Sequence, residues 1–134
     1  MIVVDASVWL SYLIESDVNH PISRRWLSGV LSEGEAIAAP VLLLAEIGGA
    51  IARQTGNPTL SRKTIDRLLA IPTLRLVSLD HGVGIQAARI AAAQRLRGAD
   101  ASYVAIAAAL DVPLVSWDKE QVARAGTVAA SMPA

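Results

Sequence analysis

Short apolar runs alternate with longer amphipathic stretches along this chain, and the two patterns differ in period. Five short runs rich in Val, Ile, Leu and Ala predict strands at positions 2–4, 36–39, 74–79, 112–116 and 127–130. The stretches between them carry apolar residues at helical spacing and predict helices at 8–13, 21–31, 41–53, 60–71, 80–97, 101–110 and from 118 onward. Strands separated by helices are typical of βαβ units. We therefore expect an α/β fold with a central, mainly parallel sheet of four to five strands, flanked by helices on both faces.

Length and composition agree with a single domain over residues 1–134. A chain of this length with 53% hydrophobic residues can bury a core. No apolar run approaches the roughly 20 residues that a membrane span needs, and no basic region precedes the first apolar residues, so we expect neither membrane association nor a secretory signal. The absence of cysteine excludes disulfides and thiolate metal sites and fits a cytoplasmic protein. Zinc is disfavoured too, because His20 and His81 lack a ligand-spaced companion.

The charge balance argues against a protein that grips nucleic acid by bulk charge. Twelve basic and twelve acidic side chains give a formal net charge of zero. The distribution of charge matters more than the sum, however. If four of the twelve acids surrounded a metal ion, eight would remain against twelve bases, so nucleic acid stays open as a partner.

Three aspartates lie where a predicted strand passes into a helix or where a buried helix begins. Asp5 follows the first predicted strand, and Asp118 follows the strand at 112–116 after one intervening residue. The carboxyl ends of parallel strands lie at one edge of a sheet, where ligands bind, so these two acids should converge there. Asp100 precedes the buried helix at 101–110. Each of the three could equally be an ordinary helix cap, and Asp118 with Gln121 resembles a capping box.

Glu46 is the most informative acid because its surroundings are apolar. Its helical neighbours three and four positions away are Leu and Leu on one side and Gly and Ala on the other, so no cation is placed for a surface pair. Arg53, two turns further on, is the nearest cation on that face. A buried carboxylate without a partner costs several kcal/mol. A metal ion is therefore the favoured partner, the alternative being a side chain that reaches solvent or pairs with a distant arginine.

Several carboxylates in one pocket repel one another unless a cation is present. Mg²⁺ and Mn²⁺ are the hard ions that prefer such oxygen ligands, and they typically activate water and neutralise charge on a phosphodiester. This chemistry needs no histidine base. Ser7 and Ser116 are placed to support a carboxylate or a metal-bound water, although either hydroxyl could equally be a simple cap or strand-end group.

These segments together resemble a known family, the PIN domains. The resemblance rests on Val-Val-Asp5-Ala-Ser7-Val-Trp-Leu, on Pro40 with Leu44 and Glu46, on Gly98-Ala-Asp100-Ala-Ser-Tyr-Val-Ala, and on Leu114-Val-Ser116-Trp-Asp118. It covers essentially the whole chain and is strongest for the short VapC-like ribonuclease toxins of toxin–antitoxin pairs. Each motif is weak alone, but four acids in this order are a strong joint signal. Ser116 stands where that family usually has a threonine.

The resemblance implies metal-dependent endonucleolytic cleavage of RNA, a hydrolase activity. It implies that Asp5, Glu46, Asp100 and Asp118 are catalytic residues and ligands of one or two Mg²⁺ or Mn²⁺ ions. The resemblance also implies a homodimer that is silenced by a cognate antitoxin protein. RNA contacts are only suggested by basic residues that could meet phosphates or could simply be solvated helix faces, namely Arg53, Arg62, Lys63, Arg67 and Arg97.

Three alternatives differ in testable ways. A haloacid dehalogenase-type phosphatase would carry a second aspartate two residues after Asp5, where this chain has Ser7. An adhesion module of the von Willebrand A type would match at these two positions but not at Trp9, and would bind metal without cutting RNA. A non-catalytic PIN-like scaffold would tolerate loss of its acids, yet all four are present here.

Overall fold

The computed structural model describes residues 1–125 and the backbone of residues 131–133. Strands and helices alternate along the described chain as the apolar pattern predicts. In chain order the elements are β1 (Ile2–Val4), α1 (Ala6–Leu13), α2 (His20–Ser32), β2 (Ile37–Pro40), α3 (Leu42–Thr55), α4 (Pro58–Leu69), β3 (Leu74–Val77), α5 (His81–Gln94), α6 (Gly98–Leu110), β4 (Leu114–Ser116), α7 (Lys119–Ala125) and β5 (Ser131–Pro133).

The five strands form one parallel sheet in the order β3-β2-β1-β4-β5. In this register Val3 lies beside Ala38 on β2 and beside Leu114 on β4. The chain first moves outward from β1 through β2 to β3, and then returns to the other side of β1 as β4. The carboxyl ends of β1 and β4 therefore flank the point where the strand order reverses, which is the usual ligand position in open α/β sheets.

Helices cover the sheet in two layers, as the alternation predicts. Helices α1 to α4 contact one another, whereas α5 packs on α6, and α6 also contacts β1, β2 and β4. Successive strands move across the sheet in one direction from β1 to β3 and in the other direction from β3 to β4. Right-handed crossovers therefore place these two groups of helices on opposite faces of the sheet. The three inner strands, apart from the half-buried Ile2, and residues 101–107 of α6 are buried. The predicted α/β fold is confirmed.

Several predicted boundaries move. The strand at 74–79 ends at Val77, and the helix at 80–97 ends at Gln94 because Arg95 adopts a left-handed φ of 55°. The helix at 101–110 begins at Gly98, so Asp100 lies within its first turn rather than before it. The strand predicted at 127–130 falls outside the described residues. None of the helices within the described ranges has the length and apolarity to cross a membrane.

Candidate functional site

Asp5 is buried at the junction of β1 and α1, with 5% of its surface exposed. Its Oδ2 accepts a hydrogen bond of 3.1 Å from the backbone N–H of Ser7, so it is the N-cap of α1. The capping alternative therefore describes Asp5 correctly. Capping is compatible with a second role for Asp5, because a residue at the reversal point of the sheet also lies at the candidate site.

Ser7 and Ser116 join the ends of β1 and β4. Ser116 Oγ lies 3.1 Å from Asp5 Oδ2, and the two hydroxyl oxygens are 3.4 Å apart. The backbone N–H of Trp117 donates to Ser7 Oγ over 3.1 Å. Both hydroxyls thus lie within the cluster of groups around Asp5, where the sequence predicts supporting residues.

Asp118 uses one carboxylate oxygen as a cap and keeps the other for the site. Its Oδ1 accepts the backbone N–H groups of Glu120 and Gln121, at 3.0 and 3.1 Å, at the start of α7. Its Oδ2 lies 3.7 Å from a guanidinium nitrogen of Arg97. Capping and participation in an acidic cluster are therefore compatible for this residue.

Asp100 lies in the first turn of α6, and Arg97, not Asp100, occupies the N-cap position of that helix. The Nε of Arg97 donates to Asp100 Oδ2 over 3.1 Å. The same guanidinium therefore bridges the two acids Asp100 and Asp118. Because the side chain of Arg97 is 83% exposed, this bridge adds little stability.

Glu46 has a partner that the sequence does not suggest. The hydroxyl of Tyr103 on α6 donates to Glu46 Oε1 over 2.7 Å, although the two residues are 57 positions apart. Within the described ranges Glu46 makes no ion pair, although the charge of Arg97 lowers its pKa from a distance. Its side chain is only half-buried, so the alternative of a carboxylate that reaches solvent holds in part. This contact ties α3 to the helix that carries Asp100.

The acids interact electrostatically across the cluster. Burial raises the pKa of Glu46, the Tyr103 hydroxyl lowers it, and the charges of Asp5 and Asp100 raise it again. Burial likewise raises the pKa of Asp100, Arg97 lowers it, and the charges of Asp5 and Asp118 raise it. Burial and the neighbouring carboxylate Glu46 both raise the pKa of Tyr103, so its hydroxyl remains a proton donor. The charges of Asp5, Asp100 and Asp118 therefore act on neighbouring carboxyl groups in a site that is partly buried.

The donor set fits a hard divalent cation in its chemistry and charge. Burial and neighbouring carboxylates raise the pKa values of Glu46 and Asp100, and a bound divalent ion would stabilise the ionised form of such groups. Within residues 1–125 and 131–133, however, no three His, Cys, Asp or Glu side chains form a ready metal-binding group. The acids therefore interact through their charges at one edge of the sheet. Their carboxylates are held by backbone N–H groups at helix starts, by the hydroxyls of Tyr103 and Ser116, and by Arg97.

Gln121 and Tyr103 belong to this site and were not predicted as part of it. Gln121 is 1% exposed; its Nε2 donates to the backbone oxygen of Asp100 over 3.2 Å, and its Oε1 accepts from Ser116 Oγ over 2.8 Å. The capping-box pattern singles out Gln121 but predicts that its side chain folds back on Asp118. Tyr103 has a weak signal, as one of two hydroxyl-bearing side chains, with Ser102, in the otherwise apolar stretch 101–107 of α6.

The predicted RNA-contacting residues are scattered. Arg97 lies against the acids and lines a hollow of about 320 Å³ that also contains Asp100 and Asp118. Arg67 instead lines a hollow with Leu13, at the end of α1 about 12 Å from the cap. The remaining candidates are exposed positions on α3 and α4, namely Arg53, Arg62 and Lys63.

The model of the PIN domain family matches residues 2–126. This chain belongs to the PIN domain family. No curated protein matches the sequence closely enough to count as a relative. The recognised resemblance is thus confirmed at the level of the family.

Solved structures share this PIN fold at low sequence identity. VapC20 of Mycobacterium tuberculosis, described as a sarcin–ricin loop cleaving toxin, superposes with a TM-score of 0.78 at 17% identity, over 92% of this chain and 94% of that one. VapBC2 of Rickettsia felis, bound to a DNA fragment from its promoter, gives a TM-score of 0.76 at 12% identity, over 100% and 99% of the two chains. FitAcB of Neisseria gonorrhoeae gives 0.73 at 20% identity, over 98% and 96%. At these identities the likeness shows the fold.

Proposed function

We propose that this PIN domain is a Mg²⁺- or Mn²⁺-dependent endoribonuclease that acts as the toxin of a toxin–antitoxin pair. The observation that carries the proposal is the placement of Asp5, buried and 3.1 Å from Ser116 Oγ at the reversal point of the sheet, where its charge raises the pKa values of Glu46 and Asp100. Like charges in a partly buried site lower the stability of the fold, and functional sites are where proteins keep such groups. A bound cation would offset the repulsion between them.

The four carboxylates would hold one or two cations, with Asp5 at the end of β1 and Glu46, Asp100 and Asp118 on α3, α6 and the loop before α7. The metal would activate water and neutralise the charge that grows on the phosphodiester. The protein supplies rigidity. Tyr103 donates a hydrogen bond to Glu46, the backbone N–H of Ser7 donates to Asp5, and Ser7 Oγ accepts from the backbone N–H of Trp117. Water would add its hydroxyl to phosphorus while the bond from phosphorus to one ribose oxygen breaks, and the proton lost by the water would end on that oxygen.

The proposed partners are an RNA substrate, a cognate antitoxin and a second copy of the chain, and the proposed location is the cytoplasm. Support for the antitoxin comes from structural neighbours described as the complexes VapBC2 and FitAB. Support for RNA comes from VapC20, whose description names the sarcin–ricin loop as what it cleaves. The homodimer rests on the family resemblance.

The decisive test measures cleavage of a mixed cellular RNA pool by purified, antitoxin-free protein. Cleavage with Mn²⁺ or Mg²⁺, none with EDTA, and none by folded Asp5→Asn purified in the same way is the expected result. Well-folded, metal-loaded protein that leaves the whole pool intact would favour the non-catalytic binding module instead. Equal cleavage by the Asp5→Asn variant would assign the activity to a contaminant.

A further inference from the structure

Gln121 contacts two of the elements that carry the acids and, through Ser116, reaches a third. Its amide spans from the backbone oxygen of Asp100 on α6 to Ser116 Oγ at the end of β4. Ser116 Oγ also accepts the backbone N–H of Asp118 over 3.0 Å and lies 3.1 Å from Asp5 Oδ2. Three of the four acids are therefore within one or two hydrogen bonds of this buried amide.

The orientation of the amide follows from its partners. A backbone carbonyl oxygen can only accept, so the group that faces Asp100 must be the amide nitrogen. The amide oxygen of Gln121 consequently faces Ser116, and the shorter contact of Ser116 Oγ, 2.8 Å, is with that oxygen. A serine hydroxyl has a single proton. When Ser116 donates to Gln121, it has no proton left for Asp5.

We infer that Gln121 is a positioning residue of the metal site, which draws the Ser116 proton away from Asp5 and anchors the first turn of α6 beneath Asp100. Asp5 Oδ2 then keeps a lone pair for a cation instead of spending it on a neighbouring hydroxyl. Buried groups that orient metal ligands in this way typically change metal affinity 10- to 100-fold when they are replaced. This inference rests on the proposed function of the site.

Isothermal titration of the metal-free full chain with Mn²⁺ tests the inference without depending on catalysis. Gln121→Met keeps the size of the side chain and removes both hydrogen bonds. We expect it to bind Mn²⁺ roughly 10- to 100-fold more weakly than the wild type while remaining folded. Thr64→Val is the matched control, since Thr64 is also buried and donates to a backbone oxygen, that of Leu60, but lies on α4. It should lose stability without losing Mn²⁺ affinity.

A double variant separates positioning from simple structural support. In Gln121→Met the Ser116 hydroxyl is free to donate to Asp5, and that hydrogen bond is expected to lower the affinity of Asp5 for Mn²⁺. Adding Ser116→Ala removes this hydroxyl and should recover part of the Mn²⁺ affinity. A further loss in the double variant would contradict the inference, as would wild-type affinity in Gln121→Met. Should Gln121→Met not fold, Gln121→Asn replaces it, because the shorter amide cannot reach both partners.

The same titrations distinguish the two proposals. Wild-type protein that binds no Mn²⁺ overturns the proposed metal-dependent function. Wild-type protein that binds Mn²⁺, together with Asp5→Asn that does not and Gln121→Met that binds normally, overturns only the role given to Gln121.

Discussion

Removal of one hydroxyl, in Tyr103→Phe, tests whether Glu46 is held as an ionised group inside the site. The ring of Tyr103 is fully buried and its hydroxyl donates to Glu46 Oε1 over 2.7 Å. A hydrogen bond to a charged group contributes about 1.5–3 kcal/mol, and because Glu46 is only partly buried, water replaces some of it. We expect a loss of about 1–2 kcal/mol at pH 7, which corresponds to a fall in Tm of roughly 3–8 °C.

The pH dependence of this loss identifies its cause. The Tyr103 hydroxyl lowers the pKa of Glu46, so its removal raises that pKa further above the ordinary value of 4.5. The folded variant then holds its proton to higher pH than the unfolded chain does, and its stability falls more steeply as pH rises above that value. Urea unfolding of metal-free protein at pH 4 and pH 7 should show the larger loss at pH 7.

Tyr12→Phe is the control, because the Tyr12 ring packs edge-on against Trp9 and its hydroxyl makes no hydrogen bond among the described residues. It should change stability by less than about 0.5 kcal/mol at either pH. The reasoning fails if Tyr103→Phe costs no more than this control, or if its cost is the same at both pH values.

Three further predictions follow from the same contacts. Asp100→Asn should keep the fold in circular dichroism melts and lose RNA cleavage by more than the 10- to 100-fold typical of a supporting residue; full activity in the folded variant would remove Asp100 from the site. In metal-free protein the free energy of unfolding should fall as pH rises above about 4.5, because the raised pKa of Glu46 makes the folded state retain its proton, and Glu46→Gln should reduce that fall. The free energy of unfolding is measured with urea at several pH values between 4 and 8; the same dependence on pH in the variant and the wild type would contradict this. Gly49→Ala should stabilise α3 by up to about 1 kcal/mol in urea unfolding, because its new Cβ would lie 3.0 Å from the guanidinium of Arg53, an exposed side chain that can move aside. Gly48→Ala should gain less, because its new Cβ would lie 2.9 Å from Ile65 Cδ1 and 3.6 Å from Ser61 Oγ, where α4 packs on α3; equal gains would show that α4 yields freely there.

Local pattern was sufficient for the architecture and for the edge at which the acids lie. Apolar runs of strand length separated by amphipathic stretches specify a parallel sheet, and parallel strands bring the ends of β1 and β4 together whatever the side chains are. Asp5 and Asp118 could therefore be assigned to one edge from sequence alone. The capping alternative was also visible, since Asp is a common N-cap residue, and both aspartates do cap their helices.

Only the tertiary structure decides which groups hold those acids. Tyr103 meets Glu46 across 57 residues, and Gln121 turns inward to Ser116 and Asp100 instead of completing a capping box. Arg97, predicted as an RNA contact, lies against two acids because α6 begins three residues earlier than its apolar pattern indicates. Hydrophobic periodicity records which face of an element is buried. It carries no information about which side chains from distant elements share that burial, and in this protein those partners define the chemistry of the site.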